Sequence, residues 1–176
     1  MNVRRVVTGQ TGDGKSVFVS DQQVEPITVA ALPSTEFYAL WGSNTPIVLP
    51  VDGSPLEARS WFPPDGGFRF AFVTFPPATA APMGTLDEVA LAELEAKLPG
   101  LVQVAELEHP GMHTTNTVDF GVVVSGELSL ELDDGAEVQL RAGDCIVQNG
   151  TRHAWHNKSS APCVVAFTLV GAARAT

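Results

Sequence analysis

The chain has 176 residues, with 20 acidic side chains against 10 basic ones and a net charge of −10. Apolar residues make up 44% and charged ones 17%, which suits one folded domain with an elaborated arm and excludes a disordered chain. So acidic a chain repels phosphate backbones and shows no basic cluster, so nucleic-acid binding is set aside.

The opening MNVRRVVTGQTGDGKS has two arginines but no apolar run of the kind a secretory leader carries. The longest apolar runs fall short of a bilayer span, so no membrane partner and a cytoplasmic location are expected. Cys145 and Cys163 form neither a disulfide framework nor a CxxC knuckle. Both sit in strand-like stretches and are expected to be buried thiols in a reducing compartment.

In chain order, VRRVVTG and KSVFVSD flank QTGDG, whose Asp-Gly signals a hairpin. TEFYALWG is a further strand. Residues 43–68 are rich in proline and glycine and predict a long ordered loop, which must pack or cover something. Trp61 and Phe62 make that loop either a lid over a binding site or a surface or dimer contact. RFAFVTF, 69–75, is a strand. TLDEVALAELEAKLPG predicts the one helix: Thr85 and Glu88 have capping-box spacing, Leu86, Val89, Ala90 and Leu94 form its apolar face, and Pro99-Gly100 ends it. From 101 onward the pattern is short strands, LVQVAEL, VDFGVVVS, ELSLELD, AEVQLRA, DCIVQ, HAWHN and CVVAFTLV, parted by turn residues. The expected fold is all-β, a closed antiparallel barrel or jelly roll. It divides into N-terminal strands and loop over 1–84, the helix over 85–100 and the barrel core over 101–176.

Strand alternation then picks out a site. His113, Thr115 and Asp119 share parity with Gly121 and Val123, so an inward Val123 implies an inward Asp119. A carboxylate inside a barrel is costly unless a cation or strong donors meet it, and histidines sharing a metal would supply that company. After the Asn149-Gly150 turn, His153 and Trp155 share one face and His156 falls on the other. The competing readings are structural histidines at 113 and 153, and an Asp119 paired with a cation such as Arg152. His109, beside a Pro-Gly turn, is expected at the surface and is the substitute if a third histidine is needed. Trp155 and Phe120, with Thr115 and Trp61, are the candidate substrate contacts, the aromatics being equally suited to the core.

These residues resemble the cupin superfamily. Its first motif runs G, five residues, HxH, three or four residues, E, six residues, G; here His113, Thr115, Asp119 and Gly126 take the places of the two histidines, the glutamate and the closing glycine. Its second motif runs G, five residues, PxG, two residues, H, three residues, N; Gly143, His153 and Asn157 match it, with Asn149-Gly150 in place of PxG and one residue fewer. The resemblance covers about 101–170. It implies a small jelly-roll barrel, often a homodimer, with a divalent transition metal at its mouth. The ligands would be His113, Asp119 and His153, with Thr115 standing where a third histidine would be. Two histidines and one carboxylate suit iron(II), zinc, manganese or nickel with open positions. The expected function is a metal-dependent enzyme acting on a small apolar or aromatic molecule bearing a carbonyl or carboxyl group, of oxygenase, decarboxylase, isomerase or lyase type. The alternative is a metal-free or non-catalytic barrel that binds a small hydrophobic ligand.

Overall fold

A computed structural model describes residues 1–55, 58–106 and 108–175. The strands run β1 (Val3–Gln10), β2 (Ser16–Val24), β3 (Glu36–Ser43), β4 (Phe68–Phe75), β5 (Thr117–Ser125), β6 (Glu127–Glu131), β7 (Glu137–Arg141), β8 (Cys145–Asn149), β9 (Ala154–His156) and β10 (Cys163–Gly171). Two helices, α1 (Glu88–Lys97) and the single turn α2 (Leu101–Val104), lie between β4 and β5.

A five-stranded sheet of order β3-β4-β10-β5-β8 and a three-stranded sheet β7-β6-β9 share one core. Val123, Ile146, Val165 and Phe167 enter it from the larger sheet, and Leu128 and Leu140 from the smaller. This is the jelly-roll arrangement, with its two sheets not joined into one closed ring of hydrogen bonds. Alternation decides what faces in: β5 buries Thr117, Asp119, Gly121 and Val123 and turns Phe120, Val122 and Val124 outward.

The β1–β2 hairpin stands apart as its own sheet, packed on β3 where Val3 meets Tyr38 and Leu40. β3 and β4 belong to the large sheet through the β4–β10 ladder, so only the hairpin is an arm. The long loop is packed down at both ends. Gln10 N donates to Val51 O at 3.0 Å, Gly171 N to Gly67 O at 2.9 Å and Trp61 N to Pro99 O at 2.7 Å. A Cβ on Gly171 would lie 1.8 Å from Pro64 O, so only glycine admits the loop there.

Three local expectations are corrected. The helix begins later: Asp87, not Thr85, is its cap, accepting from Ala90 N at 2.9 Å, because a carboxylate satisfies that orphan amide and the dipole together. Leu94 is buried, with Leu86 and Ala90 partly buried against the core as expected, but Val89 is 79% exposed and leaves that face. The 101–107 segment is helix over Leu101–Val104 rather than strand, followed by an isolated bridge from Ala105 to His113; Leu107 lies outside the described residues. Of the cysteines, Cys163 is buried, but Cys145 is exposed, because alternation along β8 turns Ile146 and Gln148 inward and Cys145 out.

Candidate functional site

His113 and His153 lie on two short segments that pair as an isolated antiparallel bridge, His113 N to His153 O at 2.9 Å and His153 N to His113 O at 3.0 Å. The main chain therefore sets the two imidazoles side by side, with ring centroids 4.2 Å apart. Each ring is pinned through Nδ1, that of His113 to Gly111 O at 3.0 Å and that of His153 to Thr151 O at 2.9 Å. A carbonyl only accepts, so Nδ1 carries the proton and Nε2 keeps its lone pair in the neutral ring. Burial keeps both rings neutral. It pushes His153 down to about 4, helped by the neighbouring His113, and it lowers His113 too.

Trp155 meets His153 edge to face at 5.5 Å and continues into the core through Phe167 at 5.7 Å and Phe75 at 6.2 Å. It forms an apolar wall beside the imidazole pair. His156 turns the other way, as parity requires, and meets Glu131 at 2.7 Å.

Asp119 points inward from β5 and is 6% exposed. Burial raises its carboxyl to about 6, with the Thr117 hydroxyl opposing. Its Oδ1 is buried without a hydrogen-bond partner, a costly state for a carboxylate and the mark of a missing proton, donor or cation. Arg152 is not that cation: it is held by Glu106 at two 2.7 Å contacts and by Asp133 at 2.9 Å. Thr115 is fully buried and accepts a hydrogen bond from Thr117 Oγ1 at 2.8 Å.

Sequence reasoning missed Gln148. It pairs across the ladder with Asp119, is buried, and its amide nitrogen donates to Thr151 Oγ1 at 2.5 Å. The same alternation that turned Asp119 inward places Gln148 beside Ile146 on the inner face of β8. Phe120 is corrected: it is half exposed on the outer face of β5, because it alternates with Asp119. Trp61 packs edge to face on Phe37 at 5.1 Å and lines a cavity behind β3 and β4 together with Trp41 and Phe70. His109 lies on an open groove with Arg152 and Glu131.

A family model of the cupin domain matches residues 100–170. Residues 100–170 are a cupin domain. Over 67 residues the chain is 46% identical to the Oryzines biosynthesis cluster protein J of Aspergillus oryzae, a match covering 35% of this chain and 37% of that protein. Over 46 residues it is 44% identical to the cupin-domain-containing oxidoreductase virC of Hypocrea virens, covering 26% and 24%. The cupin match thus spans little more than a third of those relatives at most. The Schizosaccharomyces pombe Cnp3 cupin domain superposes with a TM-score of 0.50 at 8% identity, over 96% of this chain and 87% of that one, which supports the fold alone. No helix among the described residues is long and apolar enough to cross a membrane.

The cupin fold raises the question of a metal. The donors suit one in kind: two neutral imidazoles with Nδ1 fixed by carbonyls, the second layer that metal-binding histidines use, and a buried carboxylate oxygen without a partner. Among the described residues, however, no three His, Cys, Asp or Glu side chains gather closely enough to hold an ion. The histidines are brought together, and Asp119 is not part of their group.

Proposed function

We propose that this cupin domain is the catalytic part of a metal-dependent enzyme of oxidoreductase type, acting on a small apolar or aromatic molecule that bears a carbonyl or carboxyl group. The observation that carries this reading is the imidazole pair, with both tautomers fixed and both rings kept neutral by burial. His113 and His153 would hold iron, zinc, manganese or nickel through Nε2, and Asp119, which lies outside their group here, would join as the carboxylate only by moving towards them. A divalent ion on such a set supplies polarisation of a substrate oxygen or an open position for dioxygen. The remaining roles fall to the chain itself. Trp155 and the Phe167 behind it present an apolar wall that orients a flat substrate and excludes water. When no ion is bound, Asp119, with its carboxyl raised to about 6, holds or releases a proton close to neutral pH. Relatives that carry the name oxidoreductase support the reaction class.

The test is elemental analysis of untagged protein before and after reconstitution with each of the four ions. One equivalent of one ion is expected. A second reading, a metal-free barrel that binds its ligand by Asp119 and the imidazoles, is favoured by the lack of a three-donor group among the described residues. Persistent absence of metal after reconstitution would select it.

We also propose that the protein pairs with a second copy through the outer face of its large sheet. The hairpin packs on β3 through Val3 and Val24 against Tyr38 and Leu40. In contrast, Phe70, Phe120, Val122, Val124 and Val147 are 39%, 50%, 42%, 49% and 58% exposed on that face. Phe70, Thr168, Phe120 and Val147 follow one another across four strands with no charge among them. A chain of net charge −10 meets its own copy at least cost where it carries none. Light scattering at micromolar concentration should give twice 18.6 kDa, and Val122→Glu should halve it. A monomeric wild type would contradict the proposal.

A further inference from the structure

A cavity of about 230 Å3 lies at the edge of the large sheet, between β3 and β4, the long loop and the end of α1. Arg5, Arg59, Arg69 and Lys97 line it, four of the ten basic residues in a chain with 20 acidic ones. No acidic residue among those described does so. Apart from Ser60 its walls are otherwise apolar, with Trp41, Trp61 and Phe70 the largest of those side chains.

Two of the four cations lack a carboxylate partner among the described residues. Arg69 is 6% exposed and spends its donors on Ser60, Ser43 and Phe68 carbonyls, on Asn44 Oδ1 and on the Ser60 hydroxyl. All five partners are neutral, so its charge reaches the cavity uncancelled, and burial lowers its pKa accordingly. Arg5 reaches from the hairpin, donates Nη1 to Leu40 O at 3.0 Å and lies 5.6 Å from the centre of the Trp41 ring. Its Nε is buried with no acceptor. A buried guanidinium N–H without an acceptor is a donor waiting for one. Lys97, by contrast, is paired with Glu93 at 2.7 Å.

We propose that this cavity binds a small aromatic carboxylate, its carboxylate drawn to the Arg5 guanidinium under the field of Arg69 and its ring among Trp41, Trp61 and Phe70. The size fits, since an apolar cavity of about 150 Å3 takes up benzene and this one offers about 230 Å3. The site is separate from the imidazole pair. Trp61 joins the two regions, lining the cavity while its ring packs on Phe37 of the barrel core. The bound acid is therefore an effector or a second ligand of the barrel and not the molecule that meets His153.

The probe is benzoate, with benzyl alcohol as the uncharged ring of equal size and inorganic phosphate as the anion without a ring, each titrated by calorimetry into the full chain. Benzoate should bind with one site, and the other two at least tenfold more weakly. Arg5→Gln should weaken benzoate at least tenfold and Arg5→Lys less, while His153→Ala should leave it unchanged. Circular dichroism establishes that each variant is folded. Benzoate binding that survives Arg5→Gln, or that is lost in His153→Ala, would overturn the assignment, as would benzyl alcohol binding equally well. None of these outcomes depends on the metal content that tests the barrel.

Discussion

Replacing His153 or His113 by alanine is expected to reduce bound metal in reconstituted protein by more than tenfold, with loss of any activity that depends on it. Removing even an outer partner of a metal-binding histidine costs roughly 10–100-fold in affinity, and these variants remove the ligand itself. The fold should survive, because the bridge that joins the two segments runs through backbone N–H and C=O groups and not through the rings. Asp119→Asn should weaken binding less completely: an amide oxygen can still coordinate but brings no charge. Two structural histidines, held only by Gly111 O and Thr151 O, would behave differently. Their loss would lower the melting temperature and leave the metal content where it was. Wild-type metal in both histidine variants would therefore withdraw the ligand assignment.

What was legible in the sequence was whatever depends on period two and on turns. The strands after residue 116 lie where alternation and turn residues put them, and Gly126, Gly143 and Gly150 all take positive φ at the turns. At Gly126 a Cβ would lie 2.6 Å from Pro162 O, so that turn needs glycine for space as well as for its dihedral. The inward set of Thr115, Asp119 and His153 follows from the same parity. Short apolar runs were not legible: LVQV has no period long enough to separate strand from helix, and packing made it a turn of helix. Parity also says which residues share a face but not what covers that face, so it could not tell whether Phe120 meets a ligand, the core or solvent. The Arg5 cavity was invisible for another reason. Its lining comes from positions 5, 41, 59, 61, 69, 70 and 97, which only the tertiary fold brings together.

Relative to chelator-treated wild type, stability between pH 4 and 6.5 should change with pH in opposite directions in two single variants. Asp119 has its carboxyl raised from an ordinary 3.8 to about 6 by burial. In that interval the folded state holds a proton the unfolded chain has released, so its contribution is present below about 4 and is lost as pH rises through 6. His153 is pushed from 6.5 down to about 4, again by burial. Here the unfolded chain takes the proton and the folded one refuses it, so the contribution is present above 6.5 and is lost as pH falls through 4. Each effect is on the order of 3 kcal/mol across its span, and over the shared window they oppose. The lowered His113 adds to the histidine side. Asp119→Asn removes one arm, so its stability relative to wild type should climb as pH goes from 4 to 6. His153→Ala removes the other and should fall over the same range. Urea unfolding of the three proteins at half-unit steps measures these differences, and the remaining carboxylates cancel because they are common to all three. Parallel curves for Asp119→Asn and wild type would mean that the carboxylate is solvated in the folded protein, and Asp119 could then be neither a buried proton holder nor the partner of an ion within the barrel.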